Sequence, residues 1–146
     1  DLDRFLQAQE SVHETALAEL RSGRKRTHWM WFVFPQLAGL GHSPTAQFYA
    51  LHDSAEARAY LAHPVLGPRL VQCCAAMLAN TGHTAHEILG SPDDLKLRSC
   101  ATLFAAVAPA GSVFERVLQA YYDGVPDPRT LALLETDGRG GTADRR

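Results

Sequence analysis

Apolar residues recur every three or four positions along most of the chain, which is the spacing of one face of an α-helix. No segment alternates apolar and polar residues for long enough to predict a β-sheet. The pattern therefore predicts an all-α fold of about seven helices. These helices are expected over 2–22, 44–51, 53–62, 64–80, 92–108, 112–122 and 129–134, with shorter helical turns over 29–34 and near Thr84.

Several of these helices have recognisable starting signals. The pair Ser43-Pro44 and the three-residue spacing from Asp53 to Glu56 are both typical of helix N-termini. The segment 91–94, Ser-Pro-Asp-Asp, gives the clearest start, with its serine as the N-cap and two carboxylates in the first turn.

The N-terminal third needs two further interpretations. The first helix is expected to begin at a cap formed by Asp1 or Asp3 and to stop at Gly23. The apolar run Trp29–Phe34 could be a strand or a helical turn, but no second strand-like run exists to pair with it. A short buried helix that ends before Pro35 is therefore the better interpretation.

The segment 92–108 is apolar on nearly all of its faces, which is typical of a helix buried at the centre of a domain. With 146 residues, the chain has the usual size of one domain. We therefore expect a single compact all-α domain over residues 1–135 around this buried central helix. From 136 to 146 the composition turns to Asp, Gly and Arg, which predicts a disordered tail.

Composition and charge limit the classes of function. Hydrophobic residues at 46% and charged residues at 21% are ordinary for a soluble globular protein. The net charge of -2 creates no overall field that would attract nucleic acid or a membrane surface. The longest apolar run, Trp29–Phe34, is too short to cross a bilayer. We expect neither nucleic-acid binding nor membrane binding.

The cysteines indicate the compartment. Cys73, Cys74 and Cys100 form an odd set within apolar helical sequence, which favours buried and reduced thiols. Reduced thiols are typical of the cytoplasm, and the chain opens without the segments of a secretory signal. We therefore expect a cytoplasmic protein.

The segment Gly23–Gln36 combines charge, aromatic surface and hydrogen-bonding groups more densely than any other part of the chain. Its cations, Arg24 to Arg26, suit phosphate or carboxylate groups, although a run of three cations is more often a solvated loop. His28 follows as a candidate base, since neighbouring cations favour its neutral form. Gln36 could contact the edge of a base or a ribose, or it could cap the preceding helix.

Both tryptophans of the protein lie in this segment. An indole face can stack on a planar base, but an aromatic run of this kind more often belongs to a core. On a helix, Trp29 and Phe32 share one side while Trp31 and Pro35 share another, so at least one tryptophan is expected to be structural. We expect Trp29 to face a ligand, and Trp31 to pack with Phe32 and Phe34 against the central helix.

The predicted central helix carries a second group of polar residues. Lys96 and Ser99 fall on one stripe of this otherwise apolar helix. The lysine either extends to solvent or points with Ser99 into a polar pocket. Asp94 and Arg98, four residues apart, are expected to form a surface ion pair, although Asp94 could instead contact Lys96.

The remaining histidines do not form a metal motif. His83 and His86 are three residues apart, and no cysteine or carboxylate lies at zinc-finger spacing from them. His63 precedes Pro64 and is expected to end a helix and to hydrogen-bond locally. Since no glycine-rich phosphate loop is present either, we expect no metal and no cofactor.

Four motifs resemble a known family. They are G-R-K-R-T-H-W-M-W-F-V-F-P-Q at 23–36, G-L-G-x-S at 39–43, A-Y-L-x-H-P-V-L-G-x-R-L at 59–70 and D-x-K-L-R-S-C-x-T-L-F at 94–104. Through them the chain resembles the bacterial DUF1810 family, whose members are sometimes labelled calpastatin-like. The resemblance extends from Leu2 to about Leu134 and implies a small all-α domain.

The resemblance also implies three motif blocks: Lys25–Gln36, His63–Arg69 and Asp94–Phe104. Each block mixes polar groups into apolar helix. If the blocks converge, they form an apolar-walled pocket with a few fixed polar groups, which is the usual anatomy of a small-molecule site. His63 and Arg69 become candidate ligand-binding residues through the second block.

The leading hypothesis is a cytoplasmic domain that binds, or binds and hydrolyses, an anionic nucleotide-like compound such as an NAD or ADP-ribose derivative. Asp94 or His28 would act as base towards water, and Lys96 would hold the anion. The candidate ligand-binding residues are Lys25, Arg26, Trp29, Gln36, Ser99, His63 and Arg69. The alternative is a non-enzymatic protein-interaction module, in which the aromatic residues form core and the basic residues 24–26 dock an acidic partner.

Overall fold

The computed structural model describes the backbone of residues 1–144 and the side chains of residues 1–137. Within this part of the chain it contains helices and no strand, so the predicted all-α fold is confirmed, with ten helices where about seven were expected. None of the described helices is long and apolar enough to cross a membrane. The helices are α1 (Asp3–Glu10), α2 (His13–Ser22), α3 (Met30–Val33), α4 (Pro44–Tyr49), α5 (Ser54–Ala62), α6 (Leu66–Leu78), α7 (Ala85–Leu89), α8 (Asp93–Val107), α9 (Val113–Tyr122) and α10 (Pro128–Asp144).

The first predicted helix is two helices, α1 and α2, separated at residues 11–12. The break lies between two buried polar residues that each contact another element. Gln9 Nε2 donates to the carbonyl of Phe32 at 2.7 Å, and His13 Nε2 lies 3.2 Å from Gln72 Oε1. Apolar periodicity could not show this break, because both residues occupy polar positions in the pattern.

Capping side chains define several other helix ends, as predicted. Ser43, Asp53 and Thr84 each accept a hydrogen bond from the backbone amide three residues further on, at 3.1, 2.9 and 3.0 Å. At the other end of a helix, α2 stops at Gly23, whose φ of 83° is the left-handed conformation that favours glycine.

Two predicted caps are wrong. At α1, Leu2 occupies the N-cap position, and Asp1 Oδ1 instead accepts from the amide of Asp3 at 2.9 Å. At α8, the helix begins at Asp93 without a side-chain cap. The amides of its first turn donate to the carbonyls of residues 90 and 92, so they do not need the serine hydroxyl that was predicted to cap them.

α8 is the central helix of the core, as predicted. It packs against α5, α7, α9 and α10. Leu97, Cys100 and Phe104 on this helix are fully buried. The ring of Phe104 lies 5.5 Å from that of Tyr60 on α5 and 5.4 Å from that of Phe114 on α9, so one aromatic cluster joins three helices.

Residues 35–51, here called the strap, lie between α3 and α5 and include the short helix α4. A β-bridge between Leu37 and Leu51 brings the two ends of the strap together. The guanidinium of Arg4 on α1 donates to two carbonyls of the strap at 2.8 Å each, and it pairs with Glu56 on α5 at 3.1 Å. The strap is therefore fixed at both ends, although it is mostly irregular.

The last helix is longer than predicted, since α10 continues beyond Leu134 to Asp144. Asp137 Oδ2 on α10 accepts a hydrogen bond from the amide of Ser54 at 3.2 Å, a tertiary contact that no local pattern indicates. The sequence predicted a disordered tail over 136–146. The side chains of residues 138–146 and the backbone of residues 145–146 lie outside the described part of the chain. The disordered tail stays a prediction.

Gly67 marks the closest approach between α5 and α6. Gly67 and Pro68 lie in the first turn of α6. A proline is tolerated there because the backbone amides of the first turn have no partner within the helix. A Cβ added to Gly67 would lie 2.1 Å from the carbonyl oxygen of Leu61 on α5. The tight connection between these helices therefore requires a residue without a side chain.

We expect Gly67→Ala to lower the free energy of unfolding by about 2 kcal/mol or more, because the added methyl group must displace backbone. Denaturation in urea measures this change. Gly82→Ala is the matched control, since no atom lies within 4 Å of its added Cβ. Its effect should stay within about 0.5 kcal/mol. Equally small effects at both positions would contradict the close approach.

Candidate functional site

A cleft lies between α3, the strap and the start of α8. It consists of two adjoining cavities of about 490 and 420 Å³ that share Trp31, Pro92 and Lys96. The larger cavity, here called the aromatic chamber, is also lined by Lys25, His28, Trp29, Met30, Phe32, Ser43, Thr45, Ser91 and Asp93. The smaller, here called the strap chamber, is also lined by Gln36, Leu37, Leu40, Gly41, Ala46, Tyr49, Ala50, Leu95, Arg98, Ser99, Asp127 and Arg129.

The aromatic chamber contains a charged trio, Lys25–Asp93–Lys96. Asp93 Oδ2 lies 3.0 Å from Lys25 Nζ, and Asp93 Oδ1 lies 3.4 Å from Lys96 Nζ. These side chains are largely shielded from water, with 8% of Lys25, 16% of Asp93 and 20% of Lys96 exposed. One carboxylate balances only one of two ammonium groups, so the trio keeps a net positive charge. Such a group attracts a further anion.

Aromatic faces also contact both ammonium groups. Lys96 Nζ lies 3.2 Å from the ring centroid of Trp31, and Lys25 Nζ lies 5.1 Å from that of Trp29. Burial lowers the pKa of Lys96 below its ordinary value; Asp93 opposes this shift, and the positive charge of Lys25 adds to it. The lysines are therefore positioned by protein groups more than by solvent.

The carboxylate of Glu19, on α2, holds the loop 24–29 that leads into the cleft. It accepts hydrogen bonds from the amides of Arg26 and Thr27 at 2.9 and 3.1 Å, from the Thr27 hydroxyl at 2.7 Å, and from Trp29 Nε1 at 2.9 Å. Burial alone would raise the pKa of Glu19, but these four donors outweigh it and lower the pKa to about 2.

Six of the ten predicted site residues line the cleft. The first and third motif blocks therefore converge in space. Lys25, His28 and Trp29 line the aromatic chamber, Gln36 and Ser99 line the strap chamber, and Lys96 lines both. The other four, Arg26, His63, Arg69 and Asp94, line neither chamber.

The second motif block forms the turn between α5 and α6 and lies outside the cleft. His63 Nδ1 accepts from the amides of Val65 and Leu66 at 3.1 and 3.3 Å, which confirms the predicted local hydrogen bonding. Arg69 Nη1 lies 3.5 Å from Gln9 Oε1 on α1. Both residues make structural contacts here.

Asp93 lines the cleft and contacts Lys96, whereas the sequence analysis expected Asp94 to be the carboxylate of the site. Asp94 Oδ2 lies 3.8 Å from His86 Nδ1, and its Oδ1 is buried without a hydrogen-bond partner among the described residues. The predicted pair of Asp94 with Arg98 is not formed, since Arg98 donates at 2.9 and 3.0 Å to two carbonyls that precede α10. Adjacent residues on a helix point about 100° apart, so only one of two neighbouring carboxylates can face the cleft.

Both tryptophans line the aromatic chamber, although only Trp29 was expected to face a ligand. Trp29 is only 1% exposed, its ring lies 6.1 Å from that of Phe34, and its Nε1 is bonded to Glu19. Trp31 packs against the core but lines both chambers, with Lys96 over its ring. The hydrogen bond to Glu19 draws Trp29 inward, so Trp31 is the more accessible indole of the cleft.

Sequence reasoning missed Asp93, Asp127 and Arg129 as cleft residues. Asp93 could have been found, because it stands three positions before Lys96 on a helix. Asp127 and Arg129 reach the cleft only through the packing of α10 on α8, where the Asp127 amide donates to Thr102 Oγ1 at 2.8 Å. Residues that meet through such packing have no local signal.

The three cysteines are free and buried, as predicted. Burial raises the pKa of Cys73 to about 12, and it raises those of Cys74 and Cys100 well above the ordinary value, so none supplies a reactive thiolate. Within the described residues, no group of three His, Cys, Asp or Glu could hold a metal ion. The cleft offers ammonium, carboxylate, imidazole and amide groups for ligand contact.

Comparisons with known proteins agree with the fold. The family model described as a protein of unknown function (DUF1810) matches residues 1–134, which include the whole cleft. The chain is similar to the crystal structure of the conserved hypothetical protein Rv1873 from Mycobacterium tuberculosis, with 52% sequence identity and a TM-score of 0.91 over 92% of this chain and 96% of that one. No curated protein matches the sequence significantly.

We expect Glu19→Ala to lower the free energy of unfolding by about 2 kcal/mol near pH 7, because a charged acceptor is lost. Folding lowers the pKa of Glu19 from 4.5 to about 2, so its contribution is complete above about pH 4.5 and is lost as the pH falls through 2. Urea denaturation between pH 2 and pH 7 should show the difference from wild type shrinking as the pH falls.

Glu14→Ala, at an exposed position on the same helix, is the matched control for this experiment. It should change stability by less than about 0.5 kcal/mol. A deficit in Glu19→Ala that stays constant from pH 7 to pH 2 would show that the carboxylate does not hold the loop in its ionised form.

Proposed function

The chain belongs to the DUF1810 family of proteins of unknown function, and from its cleft we propose that it binds an anionic, nucleotide-like small molecule of the NAD or ADP-ribose type. The proposal rests on one observation. The largely buried side chains of Lys25 and Lys96 share a single carboxylate, that of Asp93, and they lie beside the aromatic wall that Trp31 contributes to the cleft. The net positive charge suits a phosphate group, and the wall suits a planar ring.

Shielding strengthens the case for phosphate. An ion pair formed where water is partly excluded is stronger than one at the surface, and each hydrogen bond to a charged group contributes about 1.5–3 kcal/mol. Lys25 and Lys96 are both held near Asp93, so one phosphate or diphosphate group could contact the two ammonium groups together. Isolated surface cations of the same number would bind such a group less strongly.

The walls of the aromatic chamber support the second half of the proposal. Trp29, Trp31 and Phe32 contribute aromatic carbon, and Met30 adds a polarisable thioether. Volumes of about 490 and 420 Å³ fall within the ordinary range of small-molecule sites. A nucleoside ring and its phosphates therefore match both the size and the chemistry of the cleft.

We propose that the diphosphate bond of this ligand class is hydrolysed, with His28 as the base towards water. The water oxygen bonds to one phosphorus as the bond from that phosphorus to the bridging oxygen breaks, and the departing phosphate takes the proton that His28 removed from water. His28 lines the aromatic chamber, and its ring makes no hydrogen bond to other described residues. Asp94 lines neither chamber and is not proposed as the base. Chromatography of ADP-ribose incubated with the protein should show product with wild type and about a hundredfold less with His28→Ala, the lower end of what loss of a general base costs. Equal turnover by both proteins would remove His28 from this role.

The alternative function, a docking patch at 24–26, has narrower support. The side chains of Arg24 and Arg26 are exposed, but Lys25 turns into the cleft and pairs with Asp93. The basic run therefore does not present three cations to one acidic partner.

Two changes within the trio should alter affinity in opposite directions. Lys96→Met keeps the length of the side chain but removes its charge, so we expect ADP-ribose to bind about tenfold more weakly. Asp93→Asn removes the carboxylate that competes with phosphate, so we expect binding about threefold tighter. Isothermal titration calorimetry at low salt measures both effects.

Arg24→Ala combined with Arg26→Ala is the matched control, because it removes two cations that lie outside the cleft. The affinity for ADP-ribose should stay within about twofold of wild type. Binding that depends on these arginines and not on Lys96 would support the alternative function. Absence of binding by the wild-type protein would refute the proposal.

A further inference from the structure

We infer that the ligand of the cleft is two-headed, with a planar ring in the aromatic chamber, a hydroxyl-rich sugar in the strap chamber and a diphosphate linker at Lys96. The inference rests on the proposed function. It narrows the ligand to nucleoside diphosphates that carry a sugar or a second nucleoside, and it excludes mononucleotides as the preferred partner.

The first argument is the position of Lys96. This side chain and Trp31 line both chambers, so they stand at the junction and not at the end of either one. The Lys96 ammonium lies over the Trp31 ring and beside Asp93, where the net positive charge of the trio is located. An anion bound there has an open chamber on each side of it.

The second argument is the chemistry of the strap chamber. The side-chain amide of Gln36 makes no hydrogen bond to other described residues. Asp127 Oδ2 accepts from the amide and hydroxyl of Thr130 at 2.9 and 2.6 Å, while its Oδ1 makes none of the described hydrogen bonds. An amide together with a free carboxylate oxygen offers donors and acceptors for adjacent hydroxyl groups, and nucleotide-binding folds recognise ribose with such a carboxylate.

Apart from the shared Lys96, the strap chamber has one surplus positive charge, that of Arg98. The Arg98 guanidinium already donates to two backbone carbonyls. Arg129 shares the chamber with Asp127, so their formal charges cancel. The charge of Arg98 is thus directed at the backbone, and the Lys96 ammonium, at the junction of the two chambers, is the cation placed to hold a phosphate. This distribution fits a ligand with its phosphates between two uncharged heads.

The test compares ADP-ribose with ADP, AMP and ribose 5-phosphate on the unmodified protein by isothermal titration calorimetry. ADP is more negatively charged than ADP-ribose but lacks the terminal ribose. A site that recognises charge alone would bind ADP at least as tightly. We expect ADP-ribose to bind about tenfold more tightly than ADP and more tightly still than AMP or ribose 5-phosphate.

Two variants test which part of the ligand binds in which chamber. Gln36→Ala should reduce the affinity for ADP-ribose about fivefold and leave that for ADP unchanged, whereas Lys96→Met should weaken both. Thermal unfolding of Gln36→Ala at the wild-type temperature would show that its fold is intact.

The two proposals fail differently. If ADP binds as tightly as ADP-ribose and both are weakened in Lys96→Met, the two-headed ligand is refuted and the anion site stands. An equal loss of ADP and ADP-ribose affinity in Gln36→Ala also refutes the two-headed arrangement. If none of the four compounds binds, both proposals are refuted.

Discussion

The cleft depends on a carboxylate that does not line it. Glu19, on α2, gathers four hydrogen bonds from the loop 24–29, and this loop has no helix of its own to satisfy its amides. By holding the indole of Trp29 inward, Glu19 fixes where α3 begins, and Trp31 is thereby left beside the chambers. The position of Lys25 follows from the same loop. One side chain on α2 thus holds the loop that leads into the candidate site, while the amide of Lys25 donates separately to the carbonyl of Ile88 at 2.7 Å.

What the sequence predicted well was local. Caps at Ser43, Asp53 and Thr84, the stop at Gly23 and the buried central helix each depend on residues within one or two turns. The break between α1 and α2 and the strap depend instead on contacts between distant residues. A buried glutamine has the same place in a polarity pattern as an exposed one, so no periodicity could separate them.

The candidate site divides in the same way. Density of charge and aromatic residues directed attention to 25–36, and the spacing on α8 to Lys96, and both contribute residues to the cleft. Direction was the part that failed: of Asp93 and Asp94, the sequence favoured the residue that lies outside the cleft. A choice between neighbours on a helix requires its rotation about its axis, which is set by the tertiary packing of the whole domain.

Asp93 has a consequence for selectivity. It is tethered beside Lys25 and Lys96, so its effective concentration at the two ammonium groups far exceeds that of any free monovalent anion in solution. Chloride or acetate would have to displace it with a single weak contact. A diphosphate has oxygens enough to engage both lysines at once. Under the proposed function, Asp93 would therefore act as an internal competitor that favours anions able to replace both contacts over common salts.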